Sequence, residues 1–474
     1  MAKSLRNSAL HAFKWSICAE VASKSIGPLV FLLLARILLP TDFGVVAAAT
    51  VVISFSQIFW DAGLSKALIQ RQEHIEEAAT AVLWLNFALG VIMFIILFLS
   101  ADVIASFFHD PRITPVVRVL SIQLPLSALA SVHTALFQKS LDFKKLFWIR
   151  LVTTSAPALA SVPLALMGAG YWALIAGTLT GQVFQTITLW IISAWRPKLE
   201  FNWNLAKELF VFGRWAMLSA LLGWFYAWMD AIVVGHFLGS HDMGLYRTGN
   251  TFVIMVFGLF FSPLLPVLYS VLSRAQNDLP QMRESFIFVA RGIAMVSLPI
   301  AFGIYTLRVP LAELVFGPQW TGESMVLGYM ALSHGIAWLV GANGEVYRAS
   351  GKPSLETWPM LIMLSIYLLG YLIAVNYGFE IFLSVRMLLS LVALPVHIWI
   401  SWKWLEINPT VWIRIIGLAL LASVSMSWVL GASVPGISNV FVLIAIGAIT
   451  YGVAIFVVEK RYLLNFFRMA RGDH

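Results

Sequence analysis

The sequence predicts an all-α polytopic membrane protein with about 14 spanning helices, built as two pseudo-symmetric six-helix lobes plus two C-terminal helices. Three observations lead there. The 474-residue chain is 60% hydrophobic and only 11% charged, whereas soluble domains carry about 25% charged residues. Its apolar residues gather in windows of about 20, the length that crosses a bilayer as helix. The chain also nearly repeats itself at an offset of 200 residues. Lys14-Trp15 returns as Arg214-Trp215, Ala35-Arg36-Ile37-Leu38 as Gly235-His236-Phe237-Leu238, and Asp42-Phe43-Gly44 as Asp242-Met243-Gly244.

The windows fall at 14–34, 43–62, 80–100, 115–137, 147–168, 171–194, 211–237, 245–272, 286–307, 324–347, 355–376, 381–403, 411–431 and 439–458. The first follows a basic start but has no clear small-residue cleavage site and belongs to the repeat, so it reads as an uncleaved helix. The fifth and sixth are parted only by Gly168-Ala169-Gly170. A barrel would need alternating segments of about ten residues, and these runs are apolar on most faces. Residues 1–200 form the N-terminal lobe (helices one to six) and 201–405 the C-terminal lobe (seven to twelve). Residues 406–474 hold the last two helices and a basic tail. Prolines 28, 125, 157, 163, 263, 266, 299 and 395 lie inside spans, where each removes a helix hydrogen bond. Pro263 and Pro266 form the expected hinge.

The formal charge of +8 is distributed as membrane orientation requires, not as nucleic-acid binding would. With both ends cytoplasmic, the basic residues crowd the cytoplasmic side. The exceptions are Lys24, Arg36, Arg112, Arg118, Arg247, Arg308 and Arg386. Both repeats then start in the cytoplasm, so the repeat is parallel, about an axis along the membrane normal. Two halves facing each other across a shared site point to a carrier. The single cysteine, Cys18, forbids an intramolecular disulfide and a cysteine metal cluster. No GxxxxGK[ST] loop appears, which argues against direct ATP use.

Leu34-Ala35-Arg36, Leu39-Pro40-Thr41-Asp42-Phe43-Gly44, Asp61-Ala62-Gly63-Leu64, Ala67-Leu68-Ile69-Gln70-Arg71, Trp84-Leu85-Asn86, Trp195-Arg196-Pro197, Gly235-His236-Phe237-Leu238-Gly239, Gly317-Pro318-Gln319-Trp320 and Gly351-Lys352-Pro353 stand in an ordered set. This set resembles the polysaccharide transporter family, the Wzx-type flippases of the multidrug/oligosaccharidyl-lipid/polysaccharide superfamily, over roughly residues 10–360. It sits nearest the exopolysaccharide or colanic-acid-like branch. The resemblance implies a bacterial inner-membrane flippase and not an enzyme. It would carry undecaprenyl-diphosphate-linked oligosaccharide repeat units by alternating access, for exopolysaccharide, capsule or O-antigen synthesis. Expected partners are that lipid-linked cargo, membrane lipid and a polymerase or export machinery, with no nucleic acid, and the protein is expected to act as a monomer. No cofactor is expected; coupling to protons or sodium stays open.

Charges deep in a bilayer cost about 2.5–3.5 kcal/mol on insertion scales and normally face a cavity or a partner. Lys24, Arg118, Arg247 and Arg386 are the expected cationic cavity residues, since ammonium and guanidinium groups suit phosphate. Against this, Lys24 is one helical turn from Glu20 and the pair could simply neutralise itself, while the arginines could snorkel to headgroups. Glu20, Asp230 and Asp61 are the candidate coupling or cavity acids. Asp230 could equally be a structural acceptor, and Asp61 an interhelical partner. Trp224, Tyr226 and Trp228, beside Asp230, are candidates for stacking on sugar rings. His133, His334 and His397 read as packing residues. Metal ligands are not expected. The rival readings are a drug/cation antiporter with an anionic, aromatic chamber, and a polytopic polysaccharide polymerase or ligase, which would need a large external loop.

Overall fold

The computed structural model describes residues 26–471 apart from positions 62, 141, 277 and 353. Among the described residues every regular element is helical. The first, α1 (Ile26–Ile37), is the described part of the first expected span. Thirteen longer helices are long and apolar enough to cross a membrane: α2 (Pro40–Asp61), α3 (Ile75–Phe107), α4 (Ile113–Lys139), α5 (Lys144–Leu166), α6 (Tyr171–Ile192), α7 (Trp203–Phe237), α8 (Gly239–Phe261), α9 (Leu279–Thr306), α10 (Glu323–Ala349), α11 (Ser354–Tyr377), α12 (Phe379–Leu405), α13 (Pro409–Gly436) and α14 (Val440–Lys460). Thirteen of the expected windows therefore have a spanning helix, and the first is helical over its described residues. Glu20 and Lys24 lie outside the described residues.

Several helices run beyond their apolar windows. α3 starts five residues before the expected window, with Glu76 and Glu77 in its first turn, where acids favour the helix dipole. Its far half exposes Ile92, Ile95, Ile96, Leu99 and Val103. In water such a patch would be a liability; in a bilayer it is the ordinary lipid-facing surface.

Proline chemistry explains three interruptions. α4 breaks at Ser121 and Ile122, α8 is separated from the helix Leu264–Arg274 at Ser262 and Pro263, and α12 breaks at Leu391 and Val392. In each case a proline stands four residues after the break's first residue: Pro125, Pro266 and Pro395. A proline lacks the N–H that would bond the carbonyl one turn back, so each ladder opens there. Pro263 caps the new helix that follows. Pro157, Pro163 and Pro299 sit inside unbroken helices.

Contacts divide the chain into two compact units, Met1–Arg247 and Thr248–His474. The boundaries at residues 200 and 405 follow the sequence repeat, a different property, and stay a proposal. In the first unit α2 is central, touching α3, α4, α6 and α7. A core of Leu64, Leu68, Val82, Leu83, Val132 and Leu205 gathers around the short helix Leu64–Gln70. In the second unit α9 packs on α10 and α13, with Ala294, Leu298, Leu339, Ile415 and Ala419 at the centre.

The repeat has a physical counterpart within the first unit. Gly44 of α2 and Gly244 of α8 are equivalent positions, and they meet. A Cβ on Gly44 would lie 1.7 Å from the Ser240 carbonyl oxygen, and one on Gly244 would lie 1.8 Å from the Pro40 carbonyl oxygen. Pro40 and Ser240 are themselves equivalent by the same offset. Each helix thus presents one glycine to its own counterpart's backbone, a reciprocal contact that only the absence of side chains allows.

Around this crossing the motif residues act as caps. Asp42 accepts from the backbone N–H of Leu39 and of Tyr171, at 3.0 and 3.1 Å, which starts α6. Between α3 and α4, Asp110 accepts from the Arg112 guanidinium at 2.7 Å and from the Ser240 hydroxyl at 2.6 Å. Burial alone would raise the Asp110 pKa, but the bonds from Arg112 and Ser240 outweigh it and hold the carboxyl below 3.8. A depressed acid stabilises the fold above its unfolded pKa and loses that contribution as pH falls through the folded value. Asp110→Asn is therefore expected to melt earlier than the wild type at neutral pH, with the gap closing below 3.8. Melting curves in detergent down an acid series check this; a gap that stays constant rejects it.

Candidate functional site

Beyond α2 the chain turns at Gly63, whose φ of +73° is left-handed, and enters the helix Leu64–Gln70. One face of this helix, Leu64 and Leu68, is buried in the core. The other faces look into two separate cavities of the first unit. Its end is pinned by Lys139 of α4, whose ammonium donates to the carbonyls of Ile69, at 2.9 Å, and of Arg71. A lysine at a helix C-terminus bonds the orphan carbonyls and opposes the dipole.

The first cavity is a groove of about 440 Å³. Ser65, Lys66 and Ile69 face it from the short helix, and Gln57, Trp60 and Asp61 from α2. Ser127, Ser131, Thr134 and Gln138 come from α4, and Gln182 and Gln185 from α6. The α4 residues follow i, i+4, i+7, i+11 spacing, one stripe of a helix. Asp61 accepts from the Ser65 hydroxyl. The indole N–H of Trp60 and the amide nitrogen of Gln182 are buried without a protein partner. Four carboxamides, each able to donate and accept, surround a single acid and a single base. Such a surface matches hydroxyl-rich molecules better than it matches an ion.

The second cavity, of about 570 Å³, lies beyond Ala67 and Gln70 and is lined by Arg71, Glu208, Leu209, Val211 and Arg214. Arg71 pairs with Glu208 at 3.0 Å, and its Nε donates to the Glu73 carbonyl at 3.0 Å. Two guanidinium forks beside one exposed carboxylate form an anion-accepting wall, since forked donors fit phosphate oxygens in pairs. Arg214 is the repeat counterpart of Lys14.

Among the described residues, those expected from sequence do not gather in one site, and one pair of them meets. Asp61 is in the groove. The Arg247 guanidinium sits 3.9 Å from the Trp228 ring centroid, so those two expected site residues do meet. Trp224 is one turn from Trp228; its indole donates to Ser54 at 2.9 Å and its ring packs on Phe55. Tyr226, two residues on, points away and is half exposed, as helical geometry demands. Asp230 is buried and accepts from the Tyr246 hydroxyl and the Ala231 N–H, the structural-acceptor arrangement. Arg118 is paired with Asp102 at 2.9 Å and lies against the Phe98 ring. In the second unit Arg386 donates to Ser333 at 2.7 Å. Neither Arg118 nor Arg386 lines the two cavities described above. His334 and His397 bond Asn250 and Tyr347.

Sequence reasoning missed Arg71, Glu208, Arg214 and the glutamines. The stripe on α4 and the Gln182–Gln185 pair, three apart, were periodic signals of polarity within apolar helices. They carry no formal charge, so a search for buried charges passes over them.

A family model described as "Polysaccharide biosynthesis protein" matches residues 33–325. The chain is 26% identical over 472 residues to the succinoglycan biosynthesis transport protein ExoT of Rhizobium meliloti, covering 96% of this chain and 94% of that one. It is 26% identical over 331 residues to the lipopolysaccharide biosynthesis protein WzxC of Escherichia coli, covering 68% of this chain and 66% of that one. Among solved structures it resembles the lipid II flippase MurJ in its inward closed conformation, with TM-score 0.76, 13% identity and coverage of 95% and 100%. An inward-facing multidrug MATE transporter of the MOP superfamily follows with TM-score 0.64, 12% identity and coverage of 82% and 98%. At these identities the structural matches establish a shared fold.

Proposed function

The chain belongs to the polysaccharide biosynthesis protein family, and from that premise we propose that it is a flippase for undecaprenyl-diphosphate-linked oligosaccharide repeat units. One observation carries this reading. A single short helix, Leu64–Gln70, has an amide- and hydroxyl-rich groove on one side and a two-arginine cavity on the other. A lipid-linked sugar has the same two parts, a polyhydroxylated head and a diphosphate. The groove offers donors and acceptors to hydroxyls, and Arg71 and Arg214 offer forks to phosphate.

In this reading the end of the bundle carrying Arg71, Lys139 and Arg214 faces the cytoplasm of a bacterial cell, and both chain termini lie on that side. The cargo enters there while its lipid tail stays in the bilayer. Transfer of so polar a head through hydrocarbon is prohibitive, and a polar passage removes most of that cost. Alternating access then exposes the head on the other face, for a polymerase to use. The helix breaks before Pro125, Pro266 and Pro395 are the proposed bending points. Lys24, Arg118, Arg247 and Arg386 remain proposed cationic contacts in other stages of the cycle, and Trp228 with Arg247 a proposed stacking pair. A drug/cation antiporter would instead want an anionic chamber, and the groove's lining holds one acid, Asp61, and one base, Lys66.

Deleting the gene is expected to abolish export of the surface polysaccharide and to leave lipid-linked repeat units on the cytoplasmic leaflet. Extraction of the lipid-linked pool, with leaflet-specific labelling, checks this. Normal export with no such pool would reject the flippase reading.

A further inference from the structure

Glu323 opens α10 and is fully buried, and neither of its carboxyl oxygens has a hydrogen-bond partner in the structure. It faces Gly249 of α8. A Cβ at position 249 would meet the Glu323 Oε1 at 2.4 Å and the Val326 Cγ1 at 2.7 Å. A side chain is thus missing where the acid lies. Next to it is a cavity of about 470 Å³. Its lining includes Gly322 and Ser324, the two residues flanking Glu323, together with Trp320, Thr321 and Glu313.

An unsatisfied buried polar group is costly even when neutral, and a bare carboxylate far more so. An apolar residue of similar size would remove that cost, so a use for the acid is called for. Of the charged and titratable groups on neighbouring elements, Glu313 shares the cavity and the others meet α10 away from Glu323. From α9, Tyr305 packs at Gly328. From the helix Arg308–Val315, the Arg308 stem packs at the same glycine, while Glu313 faces the cavity. From α12, Arg386 bonds Ser333, and the charge of Glu380 reaches Tyr329. On α10 itself, His334 bonds Asn250 of α8 at 2.8 Å. None of them hydrogen-bonds the Glu323 carboxyl.

We propose that Glu323 is a proton-exchange site, reached through the cavity beside it, that couples the transport cycle to a proton gradient. The inference deepens the flippase reading and rests on it for the cargo. The step is a simple transfer: the carboxylate takes a proton from cavity water to give the neutral acid, and returns it to water later in the cycle. The neutral acid fits the dry seat against Gly249. The anion requires water, so losing the proton and opening the seat go together.

Glu323→Gln keeps the shape and removes the titration. The first test is infrared spectroscopy of the protein in phosphatidylethanolamine and phosphatidylglycerol vesicles. The wild type should show a protonated-carboxyl carbonyl band that Glu323→Gln lacks and Glu323→Asp shifts. Identical spectra for wild type and Glu323→Gln would overturn the proposal. The second test imposes a pH gradient on vesicles and follows a fluorescent undecaprenyl-diphosphate glycan. Wild-type transport should change several-fold with the gradient, and Glu323→Gln transport should be indifferent to it. A variant that keeps the gradient response would also overturn the proposal. If the wild type moves no glycan at all, the flippase reading fails, and the infrared band alone decides the proton site.

Discussion

Alanine at Gly244 is expected to be among the most damaging single-methyl changes in the protein. The new Cβ would lie 1.8 Å from the Pro40 carbonyl oxygen and 2.6 Å from its carbon. Both are backbone atoms at the start of α2, so no flexible side chain can swing aside. Overpacking a well-fitted contact costs about 1–3 kcal/mol and occasionally more, and a collision with rigid backbone belongs at or above the top of that range. Gly44→Ala should cost nearly as much, because its Cβ would meet the Ser240 carbonyl in the reciprocal position. The double variant should cost clearly less than the sum of the two, since once the helices have separated the second methyl finds room. Thermal melting of the detergent-solubilised single and double variants measures all three quantities. Full additivity, or single variants as stable as wild type, would remove this crossing from the fold's essential contacts.

The largest functional loss is expected from the arginines of the second cavity. Hydrogen bonds to charged groups contribute about 1.5–3 kcal/mol each, so Arg71→Ala or Arg214→Ala should weaken binding of undecaprenyl diphosphate by about 10- to 100-fold. Arg71→Lys should fall between, because an ammonium keeps the charge and loses the fork. Glu208 gives the opposite sign. It holds Arg71 at 3.0 Å in the empty cavity and is itself exposed, and exposed pairs are worth about 0.2–1 kcal/mol. Glu208→Gln should therefore tighten binding by up to about fivefold. Titration of undecaprenyl diphosphate in micelles, with export measured alongside, tests the set. Unchanged binding in the Arg71→Ala, Arg214→Ala double variant would reject this cavity as the diphosphate site.

The fold was legible because the bilayer forces it into the sequence. Every span must be apolar for about 20 residues, and each proline that interrupts a helix does so four residues downstream of the break, as its missing N–H dictates. The candidate site was less legible, for a specific reason. A charge inside an apolar span can be recognised in sequence, but its partner cannot. Arg118 meets Asp102 from a different helix, and Asp230 meets the Tyr246 hydroxyl across a turn of chain. Those pairings depend on packing angles that no local pattern encodes. Arg71 was visible as a basic residue on the basic side and as the end of a motif, neither of which marks a cavity. What distinguishes it is the cavity formed by Glu208 and Arg214 more than 130 residues later in the chain.

The meeting of Gly44 with Gly244 also has the form of a dimer contact. A patch that docks on its own copy, residue for residue, is what an isologous dimer interface is. A shorter polypeptide carrying this patch would be able to pair with a twin through it. Elsewhere the repeat is less exact, as Arg36 against His236 illustrates. At this crossing a side chain gained by either copy would have to be accommodated by the backbone of the other.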